Sequence, residues 1–112
     1  MNETEALACF DGLSNPDRLR MLRELVTAGP GGMPAGEIAE RIGATPSRAS
    51  FHLSALADTG LIRGTRQSRT ILYAVDFSRI ASLVSFLMED CCRGNVSAEP
   101  GTGRICANNL GC

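Results

Sequence analysis

The fold of this 112-residue chain is constrained most by the way the spacing of its apolar residues changes along the sequence. Apolar side chains recur at helical intervals in the first half of the chain, follow an extended pattern between Gly60 and Val75, and return to helical intervals from Phe77. A chain of this length provides one compact core. The order of these patterns therefore predicts a mainly α-helical domain that contains a small β-hairpin.

Two helices are predicted before residue 30. Between them, Ser14 or Asn15 can cap the second helix, and Pro16 fits its first turn. The second helix ends at Gly29-Pro30-Gly31-Gly32, because these residues do not readily continue a helix. The apolar face of the first helix consists of Ala6, Cys9, Phe10 and Leu13, and that of the second of Leu19, Leu22, Leu25 and Val26.

Two shorter helices follow, joined by Gly43-Ala44-Thr45. The first spans roughly Ala35 to Ile42, and the second opens at Thr45-Pro46 and ends at Gly60. Two short helices joined by such a turn predict a helix-turn-helix. The apolar face of its second helix consists of Ala49, Leu53 and Leu56.

The extended segment is predicted to form a β-hairpin with strands at Leu61–Arg63 and Thr70–Val75. The polar stretch between them, residues 64–69, is predicted to be its tip. A helix-turn-helix followed by a two-stranded hairpin, here called the wing, predicts a winged helix-turn-helix.

The last predicted helix begins at Phe77 and carries a broad apolar stripe, whose members are Ile80, Leu83, Val84, Leu87, Met88 and Cys91. A core this small cannot cover both this stripe and the first helix, so we expect burial against a second copy. From residue 93 onward the sequence has no apolar period. These features predict a dimeric domain over residues 1–92 and a flexible tail over residues 93–112.

The net charge of −1 is unevenly distributed along the chain. Residues 1–40 carry a net charge of −4, residues 41–79 one of +4, and residues 80–112 one of −1. Every fixed positive side chain is an arginine, a group suited to bidentate contact with phosphate or guanine. The basic middle predicts a polyanionic partner. Arg66 and Arg69 in the wing are candidates to contact the minor groove or the backbone of DNA, the alternative being a solvated hairpin tip.

The start of the second helix-turn-helix helix has the residue types that a major groove admits. Ser47 and Ser50 are small enough for the helix to enter a groove about 12 Å wide, and Arg48 is long enough to reach a base edge. The alternative is a capped, solvated helix start. His52, the only histidine, lies at the edge of the buried face. This position favours a hydrogen-bonded or phosphate-facing imidazole over a metal ligand.

Four of the five cysteines fall in the last 22 residues, at Cys91, Cys92, Cys106 and Cys112. The N-terminal sequence MNETEALACF is acidic, unlike a signal peptide, and no apolar stretch approaches the roughly 18 to 20 residues of a membrane span. We therefore expect a cytoplasmic protein with no membrane partner, in which clustered thiols form a ligand or redox site. Cys9 is predicted to be a core residue, the alternative being a ligand donated across a dimer.

Together these segments resemble the ArsR family of bacterial metalloregulatory repressors over about residues 7–92. The sequence LSNPDRLR at residues 13–20 is similar to the family motif lsnptRlrIL, and TPSRASFHLSAL at residues 45–56 resembles its Ser-rich recognition helix ending in His-Leu. Gly60-Leu61-Ile62 and Tyr73 resemble its aGLv motif and wing. The resemblance implies a homodimeric repressor that binds inverted-repeat operator DNA and needs no obligatory cofactor.

The resemblance also excludes two of the sites at which members of this family bind their inducers. Residues 37–41, EIAER, lack the thiols of the family's Cys-x-Cys arsenic site, and no histidine follows residue 52 to form its zinc-type site. The remaining thiols favour thiophilic ions such as As(III), Sb(III), Cd(II), Pb(II) or Cu(I). The pair Cys91-Cys92 supplies two thiolates. Closing the loop from Cys92 to Cys112 costs only about 0.3 kcal/mol more in chain entropy than closing it to Cys106, so loop closure does not decide which of them is the third ligand. Similarity to an arsenic-sensing branch with a vicinal cysteine pair implies Cys106, with Cys112 as a rival or fourth ligand.

The resulting hypothesis is a repressor that releases its operator on binding As(III), Sb(III) or methylated As(III). One alternative is a DNA-binding regulator switched by thiol oxidation, and another is a metal-sequestering thiol protein. An enzyme is not expected, because the sequence has no nucleophile–base pair, carboxylate constellation or phosphate-binding loop.

Overall fold

The computed structural model describes the backbone of residues 1–98 and the side chains of residues 1–89. The helices in this part of the chain are α1 (Glu3–Leu13), α2 (Pro16–Ala28), α3 (Ala35–Ile42), α4 (Pro46–Asp58) and α5 (Phe77–Ala98). The strands are β1 (Met33–Pro34), β2 (Ile62–Gln67) and β3 (Thr70–Val75), and a short 3₁₀ turn at Gly29–Gly31 follows α2. This mainly helical architecture with a small antiparallel sheet confirms the predicted fold class.

Local capping explains where two of the helices begin. The side chain of Asn15 accepts hydrogen bonds from backbone N–H groups in the first turn of α2. The hydroxyl of Thr45 likewise accepts from the N–H of Arg48 at 3.2 Å, at the start of α4. Both helices begin where the sequence predicted, because these side chains satisfy N–H groups that have no partner within the helix.

The sheet contains one strand that the sequence did not indicate. Its strand order is β1-β3-β2 with antiparallel neighbours, and β1 pairs Met33 with Tyr73 and Pro34 with Leu72. Two residues are too few to show an alternating pattern. The proline is tolerated because β1 lies at the edge of the sheet, where one side of the strand needs no partner.

The predicted extent of the hairpin tip, residues 64–69, is wrong. The strand β2 continues to Gln67, which pairs with Thr70, so only Ser68 and Arg69 form the turn. β2 is exposed along almost its whole length. The alternation typical of a half-buried strand is therefore missing from its sequence, and the backbone hydrogen-bond ladder alone defines it.

The core lies where α2, α3, α4 and the sheet meet. Cys9 is fully buried, and its Sγ donates to the carbonyl oxygen of Thr59 at 3.7 Å, which confirms the predicted core position of this cysteine. The largest fully buried side chains are Met21, Leu25, Ile38, Leu53, Leu56, Leu61, Ile62 and Cys9.

Two residues of the predicted apolar face of α2 are exposed in the single chain. Leu19 and Val26 have exposed fractions of 45% and 43%. An amphipathic helix has an apolar stripe roughly 100° wide or more, and the single-chain core covers only its centre, where Leu22 and Leu25 are buried. Apolar spacing therefore identified the stripe but not its buried width.

Helix α5 is anchored at its start. Arg79 donates from Nε to the carbonyl oxygen of Thr59 at 3.3 Å and pairs with Glu5 at 3.8 Å. Leu83 is buried in the core, whereas Leu87 is 54% exposed. No helix within residues 1–98 is both long and apolar enough to cross a bilayer.

The backbone of α5 continues to Ala98, so the first six residues of the predicted tail, residues 93–98, belong to the helix. A single glycine lowers helix stability by only about 1 kcal/mol and need not terminate the helix at Gly94. The side chains of Cys91 and Cys92 lie outside the described residues. The remainder of the predicted tail, residues 99–112, lies outside them as well.

Asp76 joins the wing to α5 through its carboxylate. It accepts hydrogen bonds from the hydroxyl of Ser78 at 2.6 Å, the backbone N–H of Arg79 at 3.1 Å and the guanidinium of Arg63 at 2.9 Å. These donors hold the pKa of Asp76 below its ordinary value, and the Ser78 hydroxyl contributes most. The charged form is thus favoured in the folded protein.

A carboxylate whose pKa is lower in the folded state stabilises the fold above its unfolded pKa, and this stabilisation is lost as the pH falls through the folded pKa. We expect Asp76→Asn to lower Tm at neutral pH and to make Tm fall less steeply between about pH 5 and pH 3. Thermal melts followed by circular dichroism check this, with the exposed Asp11→Asn as the control. A variant with the wild-type pH profile would contradict the role of Asp76.

Candidate nucleic-acid interface

The N-terminal half of α4 presents polar side chains to solvent. Ser47, Arg48 and Ser50 are exposed, whereas Ala49 and Leu53 are buried in the core. The unpaired N–H groups and the dipole of a helix give its N-terminus a partial positive charge. This end of α4 therefore combines small hydroxyl groups, one guanidinium and a positive helix end, an arrangement suited to anionic partners.

Asp17, in the first turn of α2, holds Arg48 in place. Nε of Arg48 donates to Oδ2 of Asp17 at 3.0 Å, and the side chains are 48% and 19% exposed, respectively. Among the described residues, the two terminal guanidinium nitrogens of Arg48 form no hydrogen bond or ion pair. One edge of the guanidinium is thus fixed to α2, and its other donors remain available.

The imidazole of His52, on the buried side of α4, lies close to the same carboxylate of Asp17. Its Nε2 lies 3.6 Å from Oδ2 of Asp17, and its side chain is only 11% exposed. Its Nδ1 is buried without a hydrogen-bond partner among the described residues. This burial leaves His52 little surface with which to meet a phosphate. Its contacts position α4 against α2.

Ion pairs divide the arginines of the basic segment into two groups. Each member of the first group pairs with an acidic side chain of this chain, and its members are Arg41, Arg48, Arg63 and Arg79. Arg66 in β2 and Arg69 in the turn are exposed and form no ion pair within the described residues. β2 also contacts α4, so the wing that carries these two charges packs against that helix.

Sequence reasoning missed two residues of this surface. Asp17 is 31 positions from Arg48, and no periodicity or motif connects residues so far apart. Phe51, with an exposed fraction of 68%, lies on the outward face of α4. A signal for Phe51 was available, since helical spacing places it opposite Ala49 and Leu53.

Within residues 1–89, no group of three or more His, Cys, Asp or Glu side chains is arranged to hold a metal ion. Cys9 lies in the core and contacts Thr59, away from the protein surface. The predicted ligand set, Cys91, Cys92 and Cys106 with Cys112 as rival, falls outside the described side chains.

Several known proteins are similar to this chain in sequence. A helix-turn-helix domain family matches residues 13–65. The HTH-type transcriptional regulator YgaV of Escherichia coli K12 is 32% identical over 88 residues, which cover 79% of this chain and 87% of that protein. The probable mercury resistance operon repressor of Streptomyces lividans is 33% identical over 75 residues, covering 67% of this chain and 58% of that protein.

A solved structure extends the similarity to three dimensions. The homodimeric winged helix-turn-helix DNA-binding domain of a possible ArsR-family regulator from Mycobacterium bovis is 26% identical, with a TM-score of 0.61. The match covers 78% of this chain and 81% of that one. These relatives are transcription regulators and not enzymes. With its winged helix-turn-helix and the identity to YgaV over most of both proteins, this chain belongs to the ArsR family of DNA-binding transcriptional regulators.

Proposed function

We propose that this chain is a homodimeric repressor that binds an inverted-repeat operator and releases it on binding a thiophilic metalloid, As(III) before others. The observation that carries the DNA part of the proposal is the geometry of α4 and the wing. Arg48 is oriented by Asp17 with its terminal donors free, and Arg66 and Arg69 are unpaired within the described residues. Donors of this kind suit base edges and phosphates.

In this proposal the N-terminal half of α4 enters the major groove. Arg48 donates to the O6 and N7 acceptors of a guanine, and Ser47 and Ser50 donate to phosphates or base edges. Arg66 and Arg69 meet the backbone or the adjacent minor groove. Each phosphate that they neutralise adds about 0.9 to the slope of log affinity against log salt concentration.

Exposed apolar residues on the first and last helices support the dimer. Leu7 and Phe10 in α1 are 59% and 41% exposed, and Phe77 and Leu87 in α5 are 42% and 54% exposed. Burying these side chains against a second copy removes apolar surface from water. The related Mycobacterium bovis domain is a homodimer. Two recognition helices in such a dimer would read half-sites about 34 Å apart.

The thiols near the C-terminus support a thiophilic inducer. A pyramidal As(III) centre takes three thiolates, and the adjacent Cys91 and Cys92 supply two of them, so a further thiol is needed to complete the site. Cys106 is the proposed third ligand and Cys112 its rival. The Streptomyces lividans relative is a probable mercury resistance repressor, and mercury belongs to the same thiophilic class of ions. We propose that binding at this end of α5 reorients the two recognition helices of the dimer.

The test is a fluorescence-polarisation titration of the reduced protein on a duplex that it selects from a random-sequence pool, with arsenite, Cd(II), Zn(II) and peroxide added separately. A coupling free energy of about 1–3 kcal/mol predicts that arsenite weakens DNA binding by roughly 5- to 150-fold. Cys91→Ser should abolish the effect, whereas Cys9→Ala, which removes the buried thiol, should retain it. Comparing Cys106→Ser with Cys112→Ser identifies the third ligand.

Other outcomes would contradict the proposal in distinct ways. Release by peroxide alone, with no effect of any metal, would make the thiols a redox switch. Tight metalloid binding without detectable DNA binding at low salt would indicate a sequestering protein. A Cys91→Ser variant that still leaves DNA when arsenite is added would refute the ligand assignment.

A further inference from the structure

The recognition helix α4 carries one large aromatic side chain that the core does not use. Phe51 is 68% exposed, the largest exposed fraction among the exposed large hydrophobic residues of the described chain. Successive helix positions are rotated by about 100°, so Phe51 lies on the opposite side of α4 from the buried Ala49 and Leu53. Its ring therefore stands at the centre of the outward face.

The neighbours of Phe51 indicate which kind of partner meets this face. Ser47 and Ser54, one turn before and after it, are small and exposed. Arg48 lies toward the N-terminus of α4, whereas Asp58 is exposed at its last position. The charge along this face changes from positive to negative, so a polyanion is attracted to the half that contains Phe51.

The ring of Phe51 has an aromatic contact on the side toward the buried His52. It makes an edge contact with the imidazole of His52, with ring centroids 5.3 Å apart and planes inclined by 68°. His52 in turn lies 3.6 Å from the carboxylate of Asp17. A side chain that is oriented before binding loses less conformational entropy when it makes a contact.

We propose that Phe51 reads the 5-methyl group of a thymine in the major groove. Thymine is the only unmodified base that presents a methyl group there, and an apolar side chain is its complement. The other groups on this half of α4 are hydroxyls and a guanidinium, which contact polar base atoms. Phe51 thus adds recognition of an A·T pair to the proposed guanine contact of Arg48. The assignment rests on the proposed binding of DNA by α4.

The experiment compares two forms of one duplex. The wild-type protein selects a duplex from a random-sequence pool, and a twin is made with deoxyuridine in place of every thymidine, which removes only the methyl groups. We expect the wild-type affinity to fall about fourfold per contacted methyl, or about fifteenfold when both half-sites carry one. Phe51→Ala should bind the thymidine duplex about as weakly as the wild type binds the deoxyuridine twin, and should not distinguish the two.

Two further variants separate reading of the methyl group from other effects. Ser54→Ala, one turn away on the same face, should retain the full sensitivity to deoxyuridine, and Phe51→Leu should retain part of it. Equal binding of both duplexes by the wild type would overturn the assignment, as would a Phe51→Ala variant with undiminished sensitivity. A Phe51→Ala variant altered only in its oligomeric state would show that the ring packs between copies. A wild-type protein that selects no duplex would refute the proposed DNA binding, and the assignment with it.

Discussion

We expect Arg48→Ala to lower operator affinity by about 100-fold or more, because each half-site of a dimer loses a bidentate base contact that contributes about 1–3 kcal/mol to discrimination. Affinity for a scrambled duplex should fall much less, since phosphate contacts supply most non-specific binding. Fluorescence polarisation on both duplexes at one salt concentration measures the two effects. A variant that still discriminates the operator as well as the wild type would remove Arg48 from the base-reading surface.

Arg48→Lys is the matched control for charge. It keeps one positive charge but loses the planar guanidinium, so non-specific affinity and the salt slope should be nearly unchanged while operator discrimination falls. An equal loss on operator and scrambled duplex would assign Arg48 to a phosphate contact instead.

Asp17→Asn tests the positioning of Arg48 from the opposite side of the ion pair. Removing a carboxylate 3.0 Å from Nε of Arg48 lessens repulsion of the DNA backbone, so non-specific affinity should rise. The charge-assisted hydrogen bond that orients the guanidinium is lost as well, and the ratio of specific to non-specific affinity should fall. Equal changes on the two duplexes would mean that Asp17 acts only through its charge.

The second large effect is expected in the core. Leu25→Ala in α2 should lower the free energy of unfolding by about 2–5 kcal/mol, because it removes a fully buried side chain and leaves a cavity in a close-packed interior. For a domain of this size, that is a large part of its total stability. Urea unfolding followed by circular dichroism measures the change.

Leu19→Ala is the matched control, since it makes the same substitution in the same helix. Leu19 is 45% exposed, and its loss should cost less than about 1 kcal/mol. Sequence periodicity assigns both leucines to one apolar stripe, so equal destabilisation by the two variants would support the periodicity and contradict the packing described for α2.

The helical part of the fold was predictable from the sequence because its signals are local. Asn15, Thr45 and the glycines after α2 and α3 act within a few residues, and the apolar periods of α1 to α4 are each complete within one helix. The wing was predicted in position but not in extent, because most of β2 has no buried face to impose an alternating pattern. β1 exists only through its pairing with β3 and has no local signal.

The candidate site divides in the same way. The sequence predicted Ser47, Arg48 and Ser50 from the start of the helix, and it predicted Arg66 and Arg69 from the basic polar stretch of the wing. The roles of Asp17 and His52 were not predictable in this way, because the Asp17–Arg48 contact joins residues 31 positions apart. Sequence by itself therefore determined the elements, their order and the positive charge of the surface, all set by residues near one another in the chain. Only the tertiary structure decided which arginines are paired and which leucines are buried, because each of these depends on contacts between distant segments.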